Sequence, residues 1–168
     1  KAIEYIESLP SRSAHIDQAY QKATYLQGTE LFNKDNYQEA VQSFEKSLRY
    51  PKDPKYVALA SYWAGEAYSM GRKFEEAIKH YNKVIELGSA AEHELQLKTR
   101  YGLGYAHYNM QAYDKALFNF QEFVNRGNRN TPNHTDGLIR LADCHYVAKK
   151  YDDALDTYTR ARNIGSPD

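Results

Sequence analysis

Apolar side chains recur along most of this chain at intervals of three and four residues, which is the spacing of one face of an α-helix. The stretch Ser61–Gly88 contains two such helical patterns, separated by a short polar break at residues 71–73. The apolar stripe of the second pattern consists of Phe74, Ala77, Ile78, Tyr81, Val84 and Ile85. Two helices joined by a turn cannot enclose a core alone, so we expect this hairpin to stack on copies of itself.

The hairpin pattern occurs four times, at a spacing of about 38 residues. The second helix of each copy opens with an aromatic residue, and alanine follows three positions later. These pairs are Tyr37 and Ala40, Phe74 and Ala77, Tyr113 and Ala116, and Tyr151 and Ala154. Nine residues before the aromatic lies a small residue, which is Gly28, Gly65, Gly104 or Ala142. A glycine inside a helix costs about 1 kcal/mol relative to alanine, so we expect another helix to approach closely there.

This arrangement of small and aromatic residues resembles the tetratricopeptide repeat, a family that builds right-handed superhelices from helix pairs and mostly binds other proteins. The resemblance covers nearly the whole chain. It implies an all-α fold, namely a right-handed α-α superhelix (a solenoid) of four helix pairs plus one preceding helix. The sequence departs from the family at one early position of the first helices, where a bulky residue is replaced. The replacing residues are Thr24, Ser61, Arg100 and Leu138.

The repeat period exceeds the family's usual length of roughly 34 residues by about one helical turn. Such longer repeats resemble those of bacterial periplasmic proteins that assist outer-membrane assembly or cell-envelope constriction. This resemblance favours the bacterial periplasm or cell envelope as the location, with the cytoplasm as the alternative.

We expect a single array over residues 1–168. Its predicted parts are the second helix of a truncated repeat at 1–10 and four repeats at 14–51, 54–88, 91–127 and 135–165. The polar residues 127–135 are the most loop-like segment. Because Ala2 lies 38 residues before Ala40, the chain starts in mid-repeat. We therefore expect a segment cut from a longer array, and a natural terminal cap is the alternative.

Composition limits the possible partners. The 22 acidic and 22 basic side chains give a net charge of zero, which argues against a general nucleic-acid binder. No apolar run approaches the roughly 20 residues that a membrane-spanning helix needs, so we expect no direct membrane insertion. The sixteen tyrosines are an excess that points to recognition of other proteins.

In the resembling family, the first helix of each pair lines a concave groove. Carried over to this sequence, the groove positions form three sets: Tyr25, Tyr62, Tyr101 and Ile139; Thr29, Glu66, Tyr105 and Asp143; and Phe32, Ser69, Tyr108 and Tyr146. Tyrosine combines a large rigid ring with a hydroxyl group. We therefore expect a tyrosine-rich groove that holds a peptide segment of another protein. The alternative is that these tyrosines pack on one another and on the next helix.

A variant of the family that binds C-terminal carboxylates uses lysine and asparagine in the groove. Tyr25 and Thr29 occupy those positions here, so we do not expect this mode of recognition. We also expect no catalytic site, no metal site and no cofactor. His107 and His145 are interpreted as buried core histidines, and Cys144 as a small packing residue. The segment His134–Asp136 is interpreted as part of a loop.

Two further functions remain open. The chain could be an architectural segment that associates with itself through exposed ends. The candidate residues for these ends are Ile3, Ile6 and Leu9 at one end and Leu155 and Tyr158 near the other. Alternatively, the chain could be a regulatory module of an enzyme whose catalytic domain lies outside these residues.

Overall fold

The computed structural model describes residues 1–165, which form α-helices joined by short turns and contain no β-strand. The helices are α1 (Ala2–Glu7), α2 (Ala14–Asn33), α3 (Tyr37–Leu48), α4 (Pro54–Met70), α5 (Phe74–Glu86), α6 (His93–Asn109), α7 (Tyr113–Arg126), α8 (Pro132–Val147) and α9 (Tyr151–Gly165), with a 3₁₀ turn at Gly88–Ala90. The contacts divide the chain into an N-terminal unit, Lys1–Leu95, and a C-terminal unit, Gln96–Asp168. A single continuous array over the whole chain stays a prediction.

Side-chain caps explain where several helices begin. Ser13 accepts a hydrogen bond from the Ile16 amide at 3.3 Å, as predicted for the start of α2. Asp53 accepts one from the Lys55 amide at 2.9 Å, and Pro54 then opens α4. Both predicted starts are confirmed.

The start of α8 differs from the prediction. Thr131 caps the helix by accepting a hydrogen bond from the His134 amide at 3.2 Å, and Pro132 occupies the first turn. The helix therefore begins three residues before Thr135, and the loop is shorter than predicted. The proline was interpreted as a loop residue, but its fixed φ angle suits the first position of a helix equally well.

The glycines in the first helices allow close helix packing, as predicted. In the N-terminal unit, a Cβ atom added at Gly28 would lie 2.5 Å from the Phe44 ring, and one added at Gly65 would lie 2.6 Å from the Tyr81 ring. In the C-terminal unit, a Cβ atom added at Gly104 would likewise lie 2.6 Å from the Phe120 ring. Because no side chain fits at these distances, the aromatic rings of the second helices pack directly on the backbone of the first.

A buried glutamine fixes the turn between the first two pairs of the N-terminal unit. The Gln21 side chain is fully buried, and its Nε2 donates to the Asp53 carbonyl at 3.0 Å. The Asp53 amide donates to Gln21 Oε1 at 2.9 Å. The Ser47 hydroxyl donates to the Gln21 carbonyl at 2.7 Å. The backbone before α4 is thereby held to α2 and α3 by polar contacts that the apolar pattern does not indicate.

The short helix α1 lies against α2. Its residues are at most half-buried, with Ile3 and Ile6 the more covered side chains. The Glu7 carboxylate accepts hydrogen bonds from Lys46 Nζ at 2.9 Å and from the Tyr20 hydroxyl at 2.7 Å. These two bonds hold the end of α1 to α2 and α3.

Each turn inside a hairpin contains one residue in the left-handed region that is not glycine. These residues are Asp35, Arg72, Gln111 and Lys149, with φ angles of 57° to 61°. Gly71, in one of these turns, has an ordinary φ of −80°. The strained position therefore follows the glycine rather than coinciding with it.

We expect Lys149→Gly to stabilise the protein by about 0.5 kcal/mol. A left-handed residue with a side chain costs roughly 1–2 kcal/mol, and the greater freedom of glycine in the unfolded chain offsets part of the gain. Urea unfolding would measure the change. Ala148→Gly is the matched control, because Ala148 has a φ of −75° and offers no strain to relieve. If Lys149→Gly proved no more stable than Ala148→Gly, the strain argument would be contradicted.

Within residues 1–165, no helix has both the length and the apolar character needed to cross a membrane.

Candidate peptide-binding surfaces

Three predicted groove residues of the N-terminal unit line one open pocket. Tyr25, Thr29 and Phe32 form it together with Asn33 and Trp63, and its volume is about 250 Å³. The Phe32 and Trp63 rings meet edge to face, with their centroids 5.1 Å apart. The pocket therefore has three aromatic walls, two neutral polar side chains and no charged lining residue.

Tyr62 and Glu66 are the predicted groove residues of the next first helix, and both are largely withdrawn from solvent. Tyr62 is only 9% exposed, and its ring lies 5.2 Å from that of Trp63. The Tyr81 hydroxyl donates to the Glu66 carboxylate at 2.6 Å. Burial raises the pKa of Glu66 above its usual range, although the bonds from Tyr81 and Tyr62 act in the opposite direction. Tyr62 thus offers little surface to a ligand in this conformation.

In the C-terminal unit, Tyr101 and Tyr105 converge on Asp136. The Tyr101 hydroxyl donates to Asp136 Oδ2 at 2.7 Å, and the Tyr105 hydroxyl donates to the same oxygen. The two rings meet edge to face at 5.1 Å. Burial is the main cause that raises the pKa of Tyr101 well above its usual value, and the hydrogen bond to Asp136 is the second. Both hydroxyls therefore stay protonated at neutral pH, with oxygen lone pairs that can still accept hydrogen bonds.

Arg140 extends this cluster along α8. Its Nη1 donates to Asp143 Oδ2 at 2.7 Å, and its Nε donates to the Tyr105 hydroxyl at 3.2 Å. The other oxygen of Asp143 accepts a bond from the Tyr158 hydroxyl. One guanidinium group thus lies among the carboxylates of Asp136 and Asp143. We call these residues, together with Tyr101, the aspartate–tyrosine cluster.

The remaining predicted groove residues of the C-terminal unit are Tyr108, Tyr146 and Ile139. The guanidinium of Arg140 lies 5.9 Å from the centre of the Tyr108 ring. Tyr146 is 59% exposed and contacts the Tyr151 ring at 5.5 Å. Ile139 is half-buried against the apolar core of the C-terminal unit. Whether any of these residues contacts a ligand stays a prediction.

The sequence analysis placed neither Asp136 nor Arg140 among the groove residues. The segment containing Asp136 was interpreted as a loop, but it lies in α8. Asp136, Arg140 and Asp143 follow one another at spacings of four and three residues, which places them on one helix face. That spacing was the available signal.

The histidine interpretation needs correction. His134 is not a loop residue but a buried one, 2% exposed, and its Nε2 lies 3.0 Å from the Val124 carbonyl. His107 and His145 are half-buried rather than fully buried. Burial lowers the pKa of His107. Cys144 is buried in the apolar cluster of the C-terminal unit, as expected for a packing residue.

We expect Tyr158 to contribute to alkaline unfolding. Burial and the bond to Asp143 raise the pKa of Tyr158 to about 12, whereas an unfolded tyrosine titrates near pH ~10. The stability due to this shift is complete below the unfolded value and is lost as the pH rises through the folded one. In Tyr158→Phe, the loss of stability over that pH window should be smaller, as measured by urea unfolding at each pH. Identical pH profiles of the two proteins would contradict this assignment.

Solved structures share this fold. MamA from Desulfovibrio magneticus RS-1 is 18% identical, with 97% of this chain and 83% of that chain covered and a TM-score of 0.73. BtubC from P. vanneervenii is 15% identical, with 99% and 72% covered and a TM-score of 0.77. These likenesses confirm the predicted fold class, an all-α tetratricopeptide-repeat solenoid. Among curated proteins, no sequence relative matches this chain.

The sequence profile of the tetratricopeptide repeat matches residues 25–92 and residues 100–168, which together make up most of the chain. The repeat fold is consistent with a scaffold for protein–protein interaction. The chain belongs to the tetratricopeptide repeat family.

Proposed function

We propose that this chain is a noncatalytic scaffold that binds a peptide segment of another protein on the surface carrying the tyrosines of the first helices. The aromatic pocket of the N-terminal unit is the observation that carries this proposal. Three of its five lining residues, Tyr25, Thr29 and Phe32, come from the predicted groove. Aromatic rings held in place by their neighbours are typical anchors for a partner's side chains.

The chemistry of the pocket favours an apolar side chain of the partner. The rings of Tyr25, Phe32 and Trp63 offer apolar surface, and each Å² removed from water contributes roughly 25 cal/mol. Asn33, at the end of α2, is exposed. Its carboxamide has both a donor and an acceptor, as a peptide backbone requires. An anchor residue in the pocket, with its backbone against Asn33, satisfies both groups.

The aspartate–tyrosine cluster supports a second contact in the C-terminal unit. The Tyr101 and Tyr105 hydroxyls already donate to Asp136, so they present acceptor oxygens to a ligand. With two carboxylates and one guanidinium, the cluster carries an excess of negative charge at neutral pH. Donor groups, such as backbone amides and basic side chains, suit this surface.

Trp63 makes the proposal directly testable, because it is the only tryptophan of the chain and lines the pocket. Peptides would be selected from a random phage-displayed library on the immobilised protein and then titrated by Trp63 fluorescence and calorimetry. We expect the selected peptides to share an apolar anchor. We further expect Phe32→Ala to weaken their binding by about tenfold or more. Circular dichroism would verify that the variant is folded.

Tyr5→Ala is the matched control, since Tyr5 is a 67% exposed aromatic outside the pocket. Its substitution should leave peptide affinity unchanged. If the peptides bind Phe32→Ala and the control equally well, without a change in Trp63 emission, the proposed pocket is not the binding site.

A further inference from the structure

Two first helices carry a carboxylate at the same repeat position. Glu66 in α4 and Asp143 in α8 each directly follow the small residue of their helix. Each carboxylate accepts a hydrogen bond from a tyrosine of the second helix in its own pair. The Tyr81 hydroxyl donates to Glu66 at 2.6 Å, and the hydroxyl of the equivalent residue, Tyr158, donates to Asp143. The two sites are therefore built alike, one in each unit.

The two carboxylates differ in whether a cation is bound. Asp143 is paired with Arg140, whose Nη1 donates to Asp143 Oδ2 at 2.7 Å. At the position of Arg140, α4 has the uncharged Trp63. Among the described residues of the N-terminal unit, no lysine or arginine forms an ion pair with Glu66. The Glu66 site thus has the tyrosine of its counterpart and lacks the guanidinium.

The Glu66 carboxylate has the capacity to bind a cation. Its burial raises its pKa, as expected where the charged form is removed from water without an opposite charge nearby. An ionised carboxylate offers about four lone-pair sites, and the hydroxyls of Tyr81 and Tyr62 occupy only part of them. Glu66 is half-buried rather than sealed, so a partner's side chain can reach it.

Glu66 lies beside the aromatic pocket. It follows Trp63, which lines the pocket, by three residues on α4, so the two side chains share one helix face with their Cβ atoms about 5–6 Å apart. Tyr62 links them, because its ring lies 5.2 Å from that of Trp63 and its hydroxyl bonds to Glu66. In an extended peptide, side chains two residues apart point the same way at a distance of about 6.6 Å. One peptide therefore reaches both places.

We propose that Glu66 binds an arginine of the partner peptide, two residues away from the apolar side chain that enters the aromatic pocket. The partner's guanidinium then lies against Glu66 as Arg140 lies against Asp143. Arginine suits the site better than lysine, because its planar guanidinium donates two parallel hydrogen bonds to a carboxylate. This inference rests on the proposed function, since it adds a second determinant to the same bound peptide.

Parallel selections from a random phage-displayed library on the wild-type protein and on Glu66→Gln test the inference. Wild-type peptides should carry an arginine two positions from an apolar anchor, and Glu66→Gln peptides should keep the anchor without the arginine. Replacing that arginine by citrulline, which is neutral and similar in shape, should weaken binding to the wild type by about tenfold or more. The same replacement should leave the affinity for Glu66→Gln unchanged. Calorimetry would measure the four affinities.

Glu75→Gln is the matched control, because it removes the same charge from an exposed position on α5. It should bind both peptides as the wild type does. Glu66→Gln retains an oxygen that accepts from Tyr81 and removes a partly buried charge, so its melting temperature should not fall below that of the wild type. A lower melting temperature with unchanged selected peptides would make Glu66 a structural acceptor for Tyr81 and would overturn the inference.

The outcomes separate this inference from the proposed function. Selected peptides that have the apolar anchor and depend on Phe32, but lack the arginine, would overturn the Glu66 assignment alone. Equal loss of affinity on citrulline substitution in the wild type and in Glu66→Gln would also overturn it, because the arginine would then contact another group. If no selected peptide depends on Phe32, the aromatic pocket is not the binding site and both proposals fail.

Discussion

Replacing Gly65 by alanine is expected to destabilise the protein by about 2 kcal/mol, although alanine is the better helix former. The new Cβ atom would lie 2.6 Å from the Tyr81 ring. The ring cannot yield easily, because Tyr81 is 1% exposed and its hydroxyl is bonded to Glu66. Overpacking should therefore outweigh the gain in helix propensity. Thermal and urea unfolding would measure the effect.

Gly71→Ala is the matched control for this prediction. The nearest atoms to a Cβ at Gly71 are backbone oxygens at 3.5 Å and 3.7 Å, which are ordinary contact distances. The control should therefore be close to neutral. Tyr81→Leu removes the ring, so combining it with Gly65→Ala should cost less than the sum of the two single changes. Strict additivity would show that the alanine does not act through Tyr81.

Replacing Gln21 by leucine is expected to destabilise the protein by about 2–3 kcal/mol. Leucine is similar in size, but it leaves the Asp53 amide and carbonyl without the partners that Gln21 supplies at 2.9 Å and 3.0 Å. The loss should affect mainly the turn before α4, so hydrogen exchange at Asp53 and the first turn of α4 should accelerate. Urea unfolding would give the free energy.

Gln18→Leu makes the same chemical change at an exposed position of α2 and should be nearly neutral. If Gln21→Leu proves equally neutral, the two hydrogen bonds do not contribute net stability, and the turn before α4 is held by packing alone.

Much of the fold could be predicted because patterns local to the sequence indicate where helices begin and where they pack closely. The apolar period located the hairpins, and the pair Asp53-Pro54 located the start of α4. The embedded glycines indicated close packing because glycine is costly in a helix and is kept only where a side chain does not fit. The start of α8 was predicted wrongly because a proline such as Pro132 is compatible with both a loop and the first turn of a helix. Only the cap by Thr131 distinguishes the two cases.

The candidate surfaces could be predicted only in part. Equivalent repeat positions indicate equivalent places on the backbone, but not equal exposure, since exposure depends on neighbouring side chains. Tyr25 is half-buried and lines a pocket, whereas Tyr62, at the same repeat position, is almost fully covered. The bonds of Tyr101 and Tyr105 to Asp136 join residues 35 and 31 positions apart. No local spacing rule indicates such a pair.

The buried thiol has a practical consequence for measuring how the two units are arranged in solution. Cys144 is the only cysteine, and burial raises its pKa to about 11, so its reactive thiolate is scarce at neutral pH. A maleimide dye should therefore label an introduced surface cysteine and leave Cys144 unmodified. With one such cysteine in the C-terminal unit, energy transfer from Trp63 would report the separation of the two units without any change to the native residues of the core.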